Sequence, residues 1–199
     1  GLITARDLAG YRVVEREPVR GTYRGFDIVS TPPPSSGGVH IVQMLNILEG
    51  FELQAMGHNS AVYLHHLTES MKLAYADRSL YLGDPDFVAV PVAQLTDKGY
   101  AARQRQLIDS KRATPSVDIA PGRLLDSEST ETTHYSVADR FGNVVSNTYT
   151  LNFSFGSNIV VPGTGMLLNN EMADFATSPG SANAFGLVQG EAKSIEPGK

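Results

Sequence analysis

Thr132 and Thr150 carry hydroxyls that could work as a pair, because the pattern around them predicts that they meet. The run Thr132-Thr133-His134-Tyr135-Ser136-Val137-Ala138-Asp139 alternates with the two-residue period of a strand. The returning run Val144-Val145-Ser146-Asn147-Thr148-Tyr149-Thr150-Leu151 does the same. Between them, Arg140-Phe141-Gly142 suits a three-residue hairpin loop, since glycine takes the left-handed conformation such a loop needs at its last position. Pairing Asp139 with Asn143 then sets Thr132 opposite Thr150 on one face, with Asn152 two residues further along it. Two adjacent hydroxyls suit a nucleophile and its orienting partner. Threonine is also a good strand former, so the same pattern fits a hairpin with no chemistry at all.

The segment before the hairpin favours the chemical reading. Residues 113–131 hold Pro115, the Pro121-Gly122 turn signal and a run of Ser, Asp and Glu, a composition that predicts exposed, irregular chain. A flexible tether leading into a threonine-led strand is what a self-cleaving precursor requires. A second group of interest is Glu171 and Asp174, whose spacing of three puts both carboxylates on one side of a helical turn. With Asn152 they suit a ligand ammonium group, and a solvated acidic face has the same spacing.

The elements that would position these groups are a short opening helix over residues 4–8, strands over 11–17 and 24–30, and helices over 39–49, 60–82 and 97–110. The central helix keeps Leu64, Leu67, Met71, Ala74 and Arg78 at helical spacing, with Asn59 or Ser60 as its cap and Gly83 as its stop. Thr96 is the expected cap of the third helix, and Arg103, Arg105, Lys111 and Arg112 its solvated basic face. The Pro32-Pro33-Pro34-Ser35-Ser36-Gly37-Gly38 segment reads either as a loop lining a site or as a plain strand-to-helix connection. Ser35 and Ser36 have only His40 nearby as a base, too little for a nucleophile. After the hairpin, short strands are expected over 159–161 and 166–170, then a loop rich in Ser, Pro, Gly and Asn over 176–185 that suits a lid.

Composition narrows the function classes. Hydrophobic residues at 41% and charged residues at 19% are ordinary for a globular chain of 199 residues. No run approaches the ~20 apolar residues of a membrane-spanning helix. A net charge of −5 with scattered basic residues gives no footprint for nucleic acid. The absence of cysteine removes disulfides, thiolate metal sites and a cysteine nucleophile. Neither a phosphate-cradling loop nor a metal-ligand spacing is present: adjacent His65 and His66 point about 100° apart on a helix, and Asp84-Pro85-Asp86 reads as a capping turn. No cofactor is therefore expected.

The runs ETTHYSVAD, NTYTLNFSFGS and GTGMLLNNEMADF, preceded by STPPPSSGGVHIVQMLNILEGF and YADRSLYLGDPDF, resemble the gamma-glutamyltranspeptidase family of N-terminal nucleophile hydrolases. The resemblance covers essentially the whole chain, with its motifs in order. It implies an α+β fold, the αββα four-layer sandwich of that superfamily in partial form, with helices over residues 39–110 covering a sheet centred on the hairpin. Tyr135, Val137, Val145 and Leu151 would then be buried. Residues 1–131 would form the C-terminal part of a large-subunit region, linker 113–131 included, and residues 132–199 the N-terminal part of a small-subunit region, together one structural domain. The family precursor is longer on both sides, so further segments are expected at both ends.

The resemblance also assigns roles. Cleavage between Glu131 and Thr132 would make Thr132 the N-terminal nucleophile and Thr150 the hydroxyl that orients it. Asn152, Glu171 and Asp174 would bind the α-amino group of a γ-glutamyl substrate such as glutathione. Phe185 would stand at the lid position where the family often carries tyrosine. Water, an amino acid or a peptide would accept the γ-glutamyl group. An oxyanion-hole Gly-Gly pair would lie downstream of Lys199 and a carboxylate-binding arginine upstream, so little turnover is expected from this chain alone. A related acylase acting on glutaryl β-lactams or poly-γ-glutamate, and a non-catalytic piece that only assembles with missing segments, are the alternatives. The family further implies a periplasmic or extracellular protein.

Overall fold

The computed structural model describes residues 4–119, 133–175, 178–183 and 190–195. Within them the chain is a mixed helix-and-strand protein. A capping box between Thr4 and Asp7 starts α1 (Ala5–Gly10). Strands β1 (Val19–Tyr23) and β2 (Phe26–Ser30) follow, paired antiparallel from Val19 opposite Ser30 to Tyr23 opposite Phe26. Their two-residue loop, Arg24-Gly25, has φ of 49° and 86°, the left-handed pair that a tight hairpin needs. The strand expected over 11–17 is absent and the second strand starts beyond Arg24, because this turn fixes where pairing begins and leaves Val13 and Val14 exposed with no partner.

Helix α2 (Gly37–Leu48) lies on this hairpin and packs against α4 (Ala61–Tyr81) and α6 (Lys98–Arg105). The short helices α3 (Leu53–Met56) and α5 (Val92–Leu95) complete the helical part. One core cluster joins Val19, Val39, Val42, Leu82 and Leu95, and a second joins Ile47, Leu73, Ala76, Ala101 and Ile119. The helices are also tied through a buried carboxylate. Asp77 accepts from Tyr100 Oη at 2.9 Å and from Gln104 Nε2 at 2.8 Å, and Gln43 Nε2 bonds Asp77 too. Burial and this carboxylate push the Tyr100 phenol well above its ordinary value.

Helix α4 begins as expected, with Ser60 Oγ accepting from Tyr63 N at 3.1 Å. Helix α6 is shorter than expected and its cap is Asp97, which accepts from Tyr100 N, while the Thr96 hydroxyl donates back to Val92 O. Arg105 is not part of a solvated basic face: it donates to the Ile47 and Asn46 carbonyls and lies over the Phe51 ring. The first residues of the supposed tether are packed down. Lys72, paired with Glu69, donates to Thr114 O, and Ile119 is buried in the second cluster. His66 is buried against Phe51 and bonds Val62 O, a satisfied core histidine.

Strands β3 (Thr133–Ala138) and β4 (Val144–Tyr149) form a second two-stranded sheet. Their register, Thr133 opposite Tyr149 and Ala138 opposite Val144, is the one counted from the loop, and Gly142 has φ 85°. The expected burial is not found. Tyr135, Val137 and Val145 are 47%, 55% and 61% exposed, and Leu151 is half-buried. The helices pack on β1 and β2 instead, so among the described residues nothing covers either face of this hairpin. The regions expected as strands after it pair only through the Val160–Leu167 bridge.

Candidate active site

Every group expected to react directly, Glu131 and Thr132 at the cleavage point and Phe185 at the lid, lies outside the described residues. What the structure describes is the frame around them. The hairpin face that carries Thr150 is polar from the Ser136–Ser146 pair to Thr148. His134 Nδ1 lies 2.7 Å from Thr148 Oγ1, its Nε2 3.0 Å from Ser146 Oγ, and Ser146 Oγ 3.2 Å from Ser136 Oγ. The strand alternation held the signal for this row of side chains. Thr150 Oγ1 accepts from Asn152 N at 2.9 Å. Asn152 itself is buried in the left-handed region, φ 77°, and donates through Nδ2 to Asn170 O at 2.9 Å.

That bond leads to the acid pair. Residues Glu171–Asp174 form a single 3₁₀ turn, so the two carboxylates face one way. They line a cavity of about 450 Å³ together with Ser35, Ser36, Arg78, Asp84 and Lys193. Glu171 Oε1 is buried there with no hydrogen-bond partner. Burial first, then the negative charge of Asp174, raises the Glu171 carboxyl above its ordinary range. The proline-rich loop thus lines this cavity, and Asn152 adjoins it through Asn170 rather than lining it.

The cations of the cavity were not read as site residues. Arg78, which keeps the helical spacing of α4, donates through Nε to Ser36 Oγ at 3.3 Å, and burial lowers its guanidinium below its ordinary value against the opposing pull of Tyr75 and Asp174. Lys193 sits in a 3₁₀ turn, Glu191–Lys193, that docks on the end of α4 through Gly190 N to Ser79 O at 3.1 Å. Gly83 makes this approach possible, because a Cβ there would lie 2.6 Å from the Ala192 carbonyl oxygen. Burial, followed by Arg78, lowers the Lys193 ammonium to about 7. His40 beneath α4 is buried against the Tyr75 ring, and burial followed by the Arg78 and Lys193 charges lowers it to about 3. With Ser36 bound to Arg78 and His40 held neutral at depth, no serine nucleophile is assembled here. Among the described residues no three His, Cys, Asp or Glu side chains are grouped to hold a metal ion, and no helix is long and apolar enough to cross a membrane.

A cavity lined by residues of both charges can hold a small polar ligand. A family model described as gamma-glutamyltranspeptidase matches residues 1–199. The chain is 54% identical over 199 residues to the glutathione hydrolase proenzyme of Escherichia coli K12, all of this chain against 34% of that protein. It resembles the crystal structure of Helicobacter pylori gamma-glutamyltranspeptidase at 49% identity and a TM-score of 0.59, over 62% of this chain and 35% of the other. It resembles that of a cephalosporin acylase from Bacillus halodurans at 30% identity and a TM-score of 0.71, over 100% of this chain and 33% of the other. The chain spans about a third of the length of each of these proteins.

Proposed function

Because the chain belongs to the gamma-glutamyltranspeptidase family, we propose that it is the central part of a self-cleaving precursor whose mature form transfers or hydrolyses γ-glutamyl groups. In this reading the Thr132 hydroxyl attacks the Glu131 carbonyl, the acyl group moves from nitrogen to oxygen, and water releases the upstream chain. Thr132 gains an α-amine whose ordinary pKa, about 7.7–8, leaves part of it unprotonated at neutral pH. That amine then activates the neighbouring hydroxyl. Thr132 attacks the γ-amide of a donor such as glutathione, and water, an amino acid or a peptide resolves the acyl-enzyme. Thr150 orients the nucleophile, Asn152, Glu171 and Asp174 receive the donor's α-ammonium group, and Phe185 closes over it. The flanking segments complete the four-layer sandwich around the exposed hairpin and add the oxyanion donors, so the chain alone turns over little. A protein of this kind works outside the cytoplasm, in the periplasm or beyond the cell.

The observation that carries the reading is the Glu171–Asp174 turn: two carboxylates in one cavity, with Glu171 Oε1 buried and unpartnered. An ammonium group supplies the missing donor. The likeness to the cephalosporin acylase favours a second reading, in which the donor is a glutaryl amide without that ammonium. Kinetics of the chain joined to its flanking segments separate the two. Preference for a γ-glutamyl anilide over a glutaryl anilide, lost in Asp174→Asn, supports the first, and the reverse preference supports the second.

A further inference from the structure

We propose that Glu69 and Lys72 on α4, together with Ile119, fasten the chain on the upstream side of the Glu131–Thr132 bond and so act as positioning residues for self-cleavage. The inference rests on the reading that the chain breaks at that bond. Glu69 and Lys72 are both buried and are paired with each other, one turn apart. A buried ion pair gives little net stability over apolar residues of the same size, so its contribution lies in what else it holds. This one holds a single residue by its backbone: Lys72 Nζ donates to Thr114 O at 2.6 Å, and Thr114 N donates to Glu69 Oε2 at 3.4 Å. Further along, Ile119 is buried among Ile47, Leu73, Ala76 and Ala101. Two anchors of different chemistry thus hold this segment to the helical part of the chain.

Their placement sets how much chain carries the bond that breaks. Thr133 starts β3, so the downstream side is held one residue away by the pairing with Tyr149. On the upstream side the last anchor is Ile119, which leaves the 13 residues 120–132 between two held points. Without the ion pair and Ile119, the next held point is Asp109, whose carbonyl accepts from His65 Nε2 at 2.7 Å, and the span grows to the 23 residues 110–132. The entropy lost in holding both ends of a span rises with its length, and this increase makes the cleavable arrangement about twofold rarer.

The test uses the chain with its flanking segments. In a Thr132→Ala background, where nothing matures, trypsin cleavage after the exposed Arg112 reads the anchoring directly. Glu69→Gln with Lys72→Met, which removes both charges together and leaves no lone buried one, is expected to speed that cut about tenfold, because the hydrogen bonds between Thr114 and charged groups are lost. In the cleavable protein, the same change combined with Ile119→Ala is expected to slow the appearance of the Thr132 end about twofold by intact mass, with kcat/KM of the matured enzyme for a γ-glutamyl anilide unchanged. Ten Gly and Ser residues inserted after Ile119, with the anchors intact, should slow it equally while Arg112 stays protected. Should the altered anchors fail to fold, the insertion still decides. Unchanged trypsin rates, unchanged maturation with the insertion, or equal losses in maturation and turnover would overturn the proposal. If the unaltered protein stays uncut, the self-cleavage reading itself fails, and the proposal falls with it.

Discussion

The helical part of the chain and the hairpin part are built by the same rules but finished to different degrees. All the buried hydrophobic side chains among the described residues lie between Val19 and Ile119. Among the described residues from 133 onward, only Asn152 and Gly156 are buried. The hairpin has correct alternation, loop and register, yet its apolar face, with Tyr135, Val137 and Val145, remains open. Local sequence is enough to shape a strand pair, and burial needs a second surface to pack on. The residues expected to do chemistry stand on the unfinished part, and Arg78, which lines the cavity of the acid pair, comes from the finished one.

The largest difference should appear in core truncation. Ile47, on α2, is fully buried within the second cluster, so Ile47→Ala should cost about 2–5 kcal/mol, read as a shift in denaturant midpoint. A loss under about 1 kcal/mol would mean that the helical core is not the stable unit described here.

A pH effect comes next. His40 is held down to about 3 in the folded chain against an ordinary value near 6.5. Between those values the unfolded chain takes the proton and the folded chain refuses it. The stability present above about pH 6.5 is therefore lost as pH falls toward 3, by at most about 1.4 kcal/mol per unit from this one group. His40→Gln should flatten the acid side of the stability profile, and identical slopes in both proteins would refute the buried neutral histidine.

The smallest expected effect is on the hairpin. Val145→Thr in the chain alone should change stability by no more than about 0.5 kcal/mol, since the side chain is 61% exposed. The same change made with flanking segments present should cost more than about 1 kcal/mol if those segments cover the sheet. Equal, small effects in both settings would show that the face stays open.

The parts of the fold that were legible are those whose signals are local. The Ser60 cap, the stop after α4, the Gly142 loop and the register it imposes all depend on a few adjacent residues. The strand expected over 11–17 failed because alternation without a partner is not a strand, while the Arg24-Gly25 turn held the better signal for β1 and β2. In the site, the spacing of Glu171 and Asp174 was enough to place them on one turn. Arg78 and Lys193 were missed because a helical arginine and a lysine in an unpatterned segment acquire meaning only when tertiary contacts bring them to the same cavity. Arg105 was misread for the same reason, its guanidinium being spent on the carbonyls at the end of α2.

The central claim, that the hairpin presents a self-generated nucleophile, is tested most directly by the intact mass, under denaturing conditions, of the chain expressed with its flanking segments, beside its Thr132→Ala variant. The account predicts two pieces broken between Glu131 and Thr132, and one uncut species in the variant. A single uncut species in both, or the same break surviving in Thr132→Ala, would contradict it.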